Sequence, residues 1–534
     1  MKKNILFGVL ALLLGSVCHA EDITIRYNGS KAKVTQTAKD SVKVTVKGAS
    51  VNIESLYKSH KLTVLMKGKS DNGQLTMKTA GKAKIKLDGL ELTSQEGAPL
   101  CLKNKKKVEI VASKGTTNRL AITACNDTAN NKAAVIWAKD KLLFSGKGTL
   151  YVVATGQGCR GIKTQKDITI EELTLNVTTS GDNLGEKPFS FGGFPGMPEG
   201  GFQMPEGGFP GFPGMPDDST MRARFQGFGG FPGMPDDSTM RARFQGFGGF
   251  PGMPDDSTMR ARFQGFGGFP GMPEGGFPDF GNFPMGNDSI EGGFGGGFGG
   301  KHKYVAATKG IASKGKITIN SGKVYVHTET AGAEGIEGKE GISFNGGDIF
   351  VTSTDDAINA NATIEFNGAN VTAISSGNDA VDSNPKGGFF IPFGGNNNQD
   401  TEPAIIIRGG TVYAWSQVGS PEEGIDCDFA PLVIEGGTVF SVGGGMGEMP
   451  SVPNNENAKQ PTVLLIGLNV TQKEPISILD ANGKLLDTVT IPFAMRRSAS
   501  LVTNPKFKLG STYTVKTKGY EKTFTLNEPF TTVR

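Results

Sequence analysis

The sequence predicts an all-β protein: a right-handed parallel β-helix, or β-solenoid, with a small C-terminal β-sandwich-like cap and a long disordered insertion. The main observation is an inexact repeat of about 22 to 25 residues, in which short runs of alternating apolar residues are separated by Gly-containing turns. Such units bury their apolar side only by stacking on copies of themselves. The 78 Gly and 28 Pro among 534 residues also keep much of the backbone out of helices.

Six units share one spacing. Each contains an alternating apolar pair, namely Ile168 and Ile170, Ile317 and Ile319, Ile342 and Phe344, Ile364 and Phe366, Ile405 and Ile407, or Leu432 and Ile434. The next apolar pair always begins five residues later, at Leu175, Val324, Ile349, Val371, Val412 or Val439. One aliphatic residue that follows a small residue marks the start of each unit: Ile162, Ile311, Ile336, Ile358, Val381 and Ile425. The constant spacing predicts parallel pairing of equivalent residues in successive units.

Residues 1–20 have the order of a secretory signal peptide: Lys2 and Lys3, an apolar run, and small residues before Ala20. Cys18 allows a lipoprotein anchor as the alternative, although Val17 disfavours that cleavage. We expect an exported protein that is periplasmic, on the cell surface or extracellular, with no later membrane span. The predicted parts are 1–20 (signal peptide), 21–183 (N-terminal part of the β-helix), 184–302 (insertion), 303–460 (C-terminal part) and 461–534 (cap).

The insertion at residues 184–302 is rich in Gly, Phe, Pro and Met. Within it, residues 212–230 recur identically as 231–249 and 250–268. Identical, proline-punctuated copies are typical of disordered segments rather than of a packed core. The segment is either a solvated spacer or a Phe-mediated, self-associating loop.

Composition excludes some functions. The formal charge is +4, and +2 without Lys2 and Lys3, which is too little for an electrostatic nucleic-acid binder. Four histidines are too few and too scattered for a His-rich zinc centre. Four cysteines outside the signal peptide allow three disulfide pairings, with buried free thiols as the alternative: Cys101, Cys125, Cys159 and Cys427.

Acidic residues recur at two positions flanking the marker aliphatic residue. Two residues before it stand Arg160, Lys309, Glu334, Asp356, Asp379 and Glu423, and one residue after it stand Lys163, Ala312, Glu337, Asn359, Asp382 and Asp426. Stacking would place such carboxylates about 4.8 Å apart, where each pair repels by about 3 kcal/mol at a dielectric constant near 20. Ca²⁺ is the cation that such oxygen ligands favour. The predicted metal ligands are Glu334, Glu337, Asp355, Asp356, Asp379, Asp382, Glu423 and Asp426, and a solvated acidic edge is the alternative.

A second column, Tyr325, Phe350, Thr372, Tyr413 and Phe440, points outward from the later strand of each unit. Aromatic side chains in a row form a flat apolar surface that suits one face of a sugar ring. The predicted carbohydrate-binding residues are Tyr325, Phe350, Tyr413 and Trp415. Packing beneath loops or the cap is the competing explanation.

Several stretches resemble a secreted bacterial family of carbohydrate-binding β-helix proteins, whose best-known clostridial member binds cellulose and polygalacturonate. They are residues 84–93 (KIKLDGLELT), 116–120 (TTNRL), 158–170, 355–358 (DDAI) and 378–382 (NDAVD). The resemblance implies a pectate-lyase-like right-handed β-helix, calcium bound by acidic residues, and attachment to acidic polysaccharide. Arg160 and Lys309 depart from the acidic pattern, which implies fewer calcium sites or a different glycan.

The leading hypothesis is therefore a non-catalytic, calcium-dependent protein that binds an acidic, polygalacturonate-like polysaccharide. One alternative is a polysaccharide lyase that acts by β-elimination, with Lys163, Lys339 or Lys386 near the columns as the base. The other is a structural surface adhesin in which calcium only stiffens the rod and the Phe/Gly repeats make contacts.

Overall fold

The structure is a computed structural model that describes residues 21–37, 41–125, 133–186, 304–385, 402–428, 430–444 and 450–534. All of them belong to one unit, formed by residues 1–187 and 297–534. The predicted signal peptide, nearly all of the insertion, and Lys386 lie outside the described residues.

The described residues form β-strands and no helix, and therefore contain no helix that could cross a membrane. The strands before the insertion are β1 (Ile23–Asn28), β2 (Lys31–Gln36), β3 (Val42–Lys47), β4 (Ser50–Ser55), β5 (Leu62–Ser70), β6 (Gln74–Thr79), β7 (Ala83–Ser94), β8 (Leu100–Leu102), β9 (Val108–Ala112), β10 (Thr117–Ile122), β11 (Ala134–Ala138), β12 (Leu142–Gly146), β13 (Thr149–Ala154), β14 (Arg160–Thr164), β15 (Ile168–Ile170), β16 (Thr174–Thr179) and β17 (Leu184–Glu186).

The strands after it are β18 (Tyr304–Ala306), β19 (Lys309–Ser313), β20 (Ile317–Ile319), β21 (Lys323–Thr328), β22 (Glu334–Gly338), β23 (Ile342–Phe344), β24 (Asp348–Ser353), β25 (Ile358–Ala360), β26 (Ile364–Ser375), β27 (Val381–Ser383), β28 (Ile405–Ser416), β29 (Ile425–Asp426), β30 (Leu432–Ile434), β31 (Thr438–Gly443), β32 (Thr462–Val470), β33 (Pro475–Asp480), β34 (Leu485–Thr490), β35 (Met495–Thr503), β36 (Thr512–Thr517), β37 (Tyr520–Thr525) and β38 (Phe530–Val533).

Equivalent residues of successive units pair in parallel, as the repeat predicts. In the 11-stranded sheet, ordered β29-β27-β25-β22-β19-β14-β11-β8-β6-β4-β3, the marker residues form one ladder: Ile162, Ile311, Ile336, Ile358, Val381 and Ile425. A second ladder in the 21-stranded sheet joins Ile317, Ile342, Ile364, Ile405 and Leu432. All these side chains are buried in one hydrophobic core, and their burial is the main stabilising contribution.

The prediction of an open right-handed parallel β-helix is wrong, because the larger sheet closes on itself. Twelve strands pair in parallel around a complete ring, β7-β9-β12-β15-β20-β23-β26-β24-β21-β16-β13-β10 and back to β7, which makes a barrel. Closure occurs at β7 and β26, where the chain stays in strand conformation through Gly89 and Gly368 and so joins two ladders that are separate in the intervening units.

Turns between the two strands of a unit are stabilised in two ways. Gly347 has φ +94°, and a Cβ atom there would lie 2.6 Å from the Gly322 carbonyl oxygen, so only glycine fits. Beside these turns, the amide of Asn345 donates to Asn320 and that of Asn367 donates to Asn345, both at 2.8 Å. The stacked amides hold successive turns in register.

The C-terminal strands cover the last unit. Strand β35 pairs antiparallel with β31 and with β32, and a four-stranded antiparallel sheet, β34-β33-β36-β37, completes this region. The four cysteines of the described residues form no disulfide with one another, so of the alternatives left open by the sequence none of the three pairings is present. A hydrogen bond in which the Cys159 thiol donates to Cys125, together with burial, raises the pKa of the Cys159 thiol.

Candidate functional site

The outward face of the 11-stranded sheet carries the predicted metal ligands. Its central column, in order of pairing, is Asn52, Thr76, Cys101, Trp137, Lys163, Ala312, Glu337, Asn359, Asp382 and Asp426. A flanking column runs through Arg160, Lys309, Glu334, Asp356, Asp379 and Glu423, adjacent in successive units. The face is thus basic toward one end and acidic toward the other.

A lysine neutralises the first two acids of these columns. Lys309 Nζ lies 2.8 Å from Glu334 and 2.7 Å from Glu337, and Lys339 also contacts Glu337. Burial alone would raise the pKa of Glu337, but Lys309 and Lys339 outweigh it and hold that pKa at about 2. Glu334 and Glu337 are therefore ion-pair partners, which weakens their predicted role as metal ligands.

The remaining acids form what we call the acidic cluster: Asp356, Asn359, Asp379, Asp382, Glu423 and Asp426. Asn359 lies between two of the carboxylates, and its Nδ2 donates to Asp356 at 2.6 Å and to Asp382 at 2.9 Å. Asn384 donates to both oxygens of Asp382 at 2.9 and 2.8 Å. Amide groups therefore separate carboxylates that would otherwise face one another.

Backbone and hydroxyl donors hold the end of the acidic cluster. The Glu423 amide donates to Asp379, and the Ser451 amide donates to Glu423 at 2.7 Å. Asp426 accepts from the Ser451 hydroxyl at 3.2 Å and from the Asp428 amide at 3.0 Å. These bonds fix the carboxylates without supplying positive charge.

Asp379 is the most perturbed acid of the acidic cluster. Its residue is 7 % exposed, and burial raises its pKa to about 9, with further upward contributions from Asp426, Asp356 and Glu422. In the described part of the chain, neither Asp379 nor Asp426 forms an ion pair with Lys or Arg. A cation close to Asp379 would lower this pKa and favour the ionised carboxylate at neutral pH.

The donor chemistry of the acidic cluster fits Ca²⁺, which prefers carboxylate and amide oxygens. Turning the Asn359 amide about its last bond exchanges its nitrogen and oxygen in place, so the same side chain can face carboxylates or a cation. Within the described ranges, no three His, Cys, Asp or Glu side chains form a compact metal-binding group. Ligands beyond the acidic side chains are thus needed to complete a calcium shell.

The structure brings Asp356, Asp379, Asp382, Glu423 and Asp426 together, as their recurrence predicts. Asp355, the eighth predicted ligand, binds elsewhere: its Oδ1 accepts from Asn378 Nδ2 at 2.7 Å. Asn384 and Ser451 were not predicted, because they lie outside the repeated positions and no sequence signal marks them.

The predicted aromatic residues do not share one environment. Tyr325 and Phe350 pair directly and are half-buried, on the outward side of β21 and β24. Trp415 is fully buried, and its indole nitrogen donates to the Phe440 carbonyl at 3.0 Å. Tyr413 stacks on Trp415 with ring centroids 5.5 Å apart. Trp415 is therefore packed in the interior and presents no ring surface to solvent in this structure.

The aromatic column also extends further than predicted. Tyr151 pairs with Asn176, which pairs with Tyr325, so Tyr151 occupies the same column two units earlier. Its position in a run of alternating apolar residues, Leu150 to Val152, is the signal that identifies it. An outward row of Tyr151, Tyr325 and Phe350 remains accessible.

A comparison with protein families identifies the family to which the chain belongs. Residues 47–187 and 297–460, more than half of the chain, match a family described as "Carbohydrate-binding domain-containing protein". A solved structure described as the polysaccharide lyase-like protein from C. thermocellum, gadolinium derivative, is similar at a TM-score of 0.35 and 14 % identity, covering 68 % of this chain and 94 % of that one. No curated protein matches the chain.

Proposed function

Since the chain belongs to the family of carbohydrate-binding domain-containing proteins, we propose that it is an exported, non-catalytic protein that binds an acidic polysaccharide with the help of Ca²⁺. Membership of this family supports a polysaccharide as the ligand. The observation that supports the acidic, calcium-dependent part is the acidic cluster, in which Asp379 is buried and its pKa is raised to about 9 by burial and by the nearby carboxylates of Asp426, Asp356 and Glu422.

Asp356, Asp379, Asp382, Glu423 and Asp426 would hold the ion, with the Asn359 amide as a further oxygen donor. Bound Ca²⁺ supplies positive charge, which would keep Asp379 ionised and attract carboxylates of the glycan. Because these side chains do not form a complete chelating group, glycan carboxylates would complete the coordination shell. Tyr325, Phe350 and Tyr151 offer apolar rings to the sugar on another face of the molecule.

The test is calorimetry of the full chain with polygalacturonate, in Ca²⁺ and in chelator. We expect chelation to weaken binding at least tenfold, and the variant D379N/D382N to bind weakly in both buffers. D71N is the matched control, since Asp71 is exposed and distant in sequence from the acidic cluster, and it should behave as wild type. Affinity that chelation leaves unchanged would refute the calcium role.

A polysaccharide lyase is the second candidate function, and one observation favours it. Burial, assisted by Arg160 and Lys314, lowers the pKa of Lys163 to about 7, which suits a general base at neutral pH. Lys163 neighbours Trp137 on one side and Ala312 on the other in the central column. Incubation with polygalacturonate and Ca²⁺ decides the matter: an unsaturated product absorbing in the ultraviolet, lost in K163M, would replace the non-catalytic proposal.

A further inference from the structure

The basic end of the same outward face contains a groove of about 440 Å³, within the size range of small-ligand sites. Strands β4, β6 and β8, with β11, form its floor. Glu54, Thr76, Lys78, Lys103, Trp137 and Lys139 line it, and we call it the lysine groove.

Three lysines of the lysine groove form a ladder. Lys78, Lys103 and Lys139 directly follow Met77, Leu102 and Ala138, which pair with one another in successive strands. All three lysines are exposed, while the preceding residues are buried. Equivalent positions in neighbouring strands are about 4.8 Å apart, so the ammonium groups are close enough to repel one another.

Little within the described residues offsets this charge. None of the three lysines forms an ion pair there, and Glu54 is the single carboxylate that lines the lysine groove. Elsewhere in the described residues, some strand lysines do have acidic partners, as Lys84 has in Glu109 and Lys141 in Asp167. A row of lysines whose charge is not balanced can bind an anion that carries several charges.

Trp137 supplies an independent observation. It is 7 % exposed and packs with Ala98, Ala134 and Cys101 on the outside of the sheet, apart from the main core. Its indole Nε1 is buried and has no hydrogen-bond partner among the described residues. Buried tryptophan nitrogens normally have an acceptor, and a large ring beside a polar groove is typical of sugar recognition.

We propose that the lysine groove binds an anionic segment of a glycan directly, without metal: Lys78, Lys103 and Lys139 pair with uronate carboxylates or sulfate esters, and Trp137 packs against a sugar ring. The inference rests on the proposed function, since it assumes a polysaccharide ligand. It adds a second anchoring point, at the opposite end of the face from the acidic cluster.

The experiment is calorimetry of the full chain in chelator with oligogalacturonate, a sulfated dextran and neutral dextran. We expect measurable binding of an anionic glycan that falls at least tenfold in K78Q/K103Q/K139Q and weakens with salt. Comparing oligogalacturonate with sulfated dextran shows whether carboxylates or sulfate esters bind to the lysines. The matched control K105Q/K106Q/K107Q removes the same charge from exposed lysines that do not line the lysine groove, and should bind as wild type.

Tryptophan fluorescence gives a second readout. The chain has two tryptophans, and Trp415 is fully buried with its indole nitrogen bonded. A change in emission on glycan binding therefore reports Trp137, and W137F should abolish it. W137F keeps an aromatic ring but lacks the N–H group, so a modest loss of affinity with intact folding is expected.

The outcomes separate the two proposals. Binding that survives chelation in D379N/D382N and is lost in the triple lysine variant supports the lysine groove even where the calcium proposal fails. Loss of all binding on chelation overturns the lysine groove and leaves the calcium proposal standing. Equal binding of neutral dextran would also overturn it.

Discussion

The two ends of the outward face of the 11-stranded sheet share one backbone register and differ in how their charges are balanced. At the acidic end, the amide of Asn359 separates carboxylates that are buried. At the basic end, exposed lysines stand in a row with one nearby carboxylate. Between them, Lys309 pairs with Glu334 and Glu337. Stacked repeats place like charges in columns, and the repulsion within each column is relieved in a different way.

The largest effect is expected at the middle of the face. K309M would remove the lysine that Glu334 and Glu337 share, leaving Glu334 buried without that ion pair and Glu337 with Lys339 alone. We expect it to destabilise the protein by about 3 to 5 kcal/mol. The measurement is urea unfolding at pH 7. K316M is the control, because Lys316 pairs with Glu365 at 2.9 Å but its side chain is 44 % exposed, so its cost stays below about 1 kcal/mol. Equal costs for the two variants would contradict the buried-pair interpretation.

A second prediction concerns Asn359. N359D replaces the bridging amide donor with a third carboxylate, and should destabilise the chelator-treated protein by about 2 to 3 kcal/mol at pH 7. Added Ca²⁺ should restore part of the loss, since a ligand that binds the folded state stabilises it.

The matched control for N359D is N370D. Asn370 Nδ2 donates to Asp348 at 3.0 Å in an exposed position, where the same substitution should cost below about 0.5 kcal/mol. Thermal unfolding of both variants, with and without Ca²⁺, checks the prediction. If the two variants lose equal stability, the acidic cluster does not depend on amide separation.

The third prediction is a pH profile. The pKa of Asp379 is about 9 in the folded protein against an ordinary 3.8, so between these values the folded state holds a proton that the unfolded state has lost. Stability in chelator should therefore fall as pH rises through this window, by up to about 1.4 kcal/mol per pH unit from this group. D379N should flatten that slope.

The pKa of Glu337 is shifted in the opposite direction from that of Asp379, so Glu337 serves as the internal comparison. Its pKa is held at about 2 against an ordinary 4.5, so its stabilisation is present above the ordinary value and is lost as pH falls toward 2. D379N should leave this acid limb unchanged, and E337Q should flatten it. A D379N profile that keeps the wild-type alkaline slope would refute the assignment of that slope to Asp379.

Sequence reasoning found the part of the acidic cluster that repeats. Asp356, Asp379 and Asp382 recur at constant spacing from a marker residue, and parallel pairing converts that spacing into proximity. Asn384 and Ser451 complete the hydrogen bonds from positions outside the repeat, and no periodicity reveals such residues. The basic end was overlooked because Lys78, Lys103 and Lys139 belong to irregular early units.

The burial of Trp415 illustrates the same limit. Its alternation with Tyr413 places both on the outward side of β28, yet Trp415 is fully buried there and its indole N–H donates to the Phe440 carbonyl. Closure of the larger sheet is similar, because it depends on whether the strand pairing continues through two particular turns, at Gly89 and Gly368. A glycine in a turn allows both conformations.

By itself the sequence determined an all-β chain whose units pair in parallel with known register, because apolar alternation and unit length are local properties that every copy repeats. Only the tertiary structure decided that the larger sheet closes into a barrel. It also decided which acidic side chains form ion pairs with lysine and which aromatic rings are exposed to solvent. Those outcomes depend on how side chains of neighbouring units contact one another, which the backbone register does not specify, as for Lys309 with Glu334 and Trp415 with Phe440.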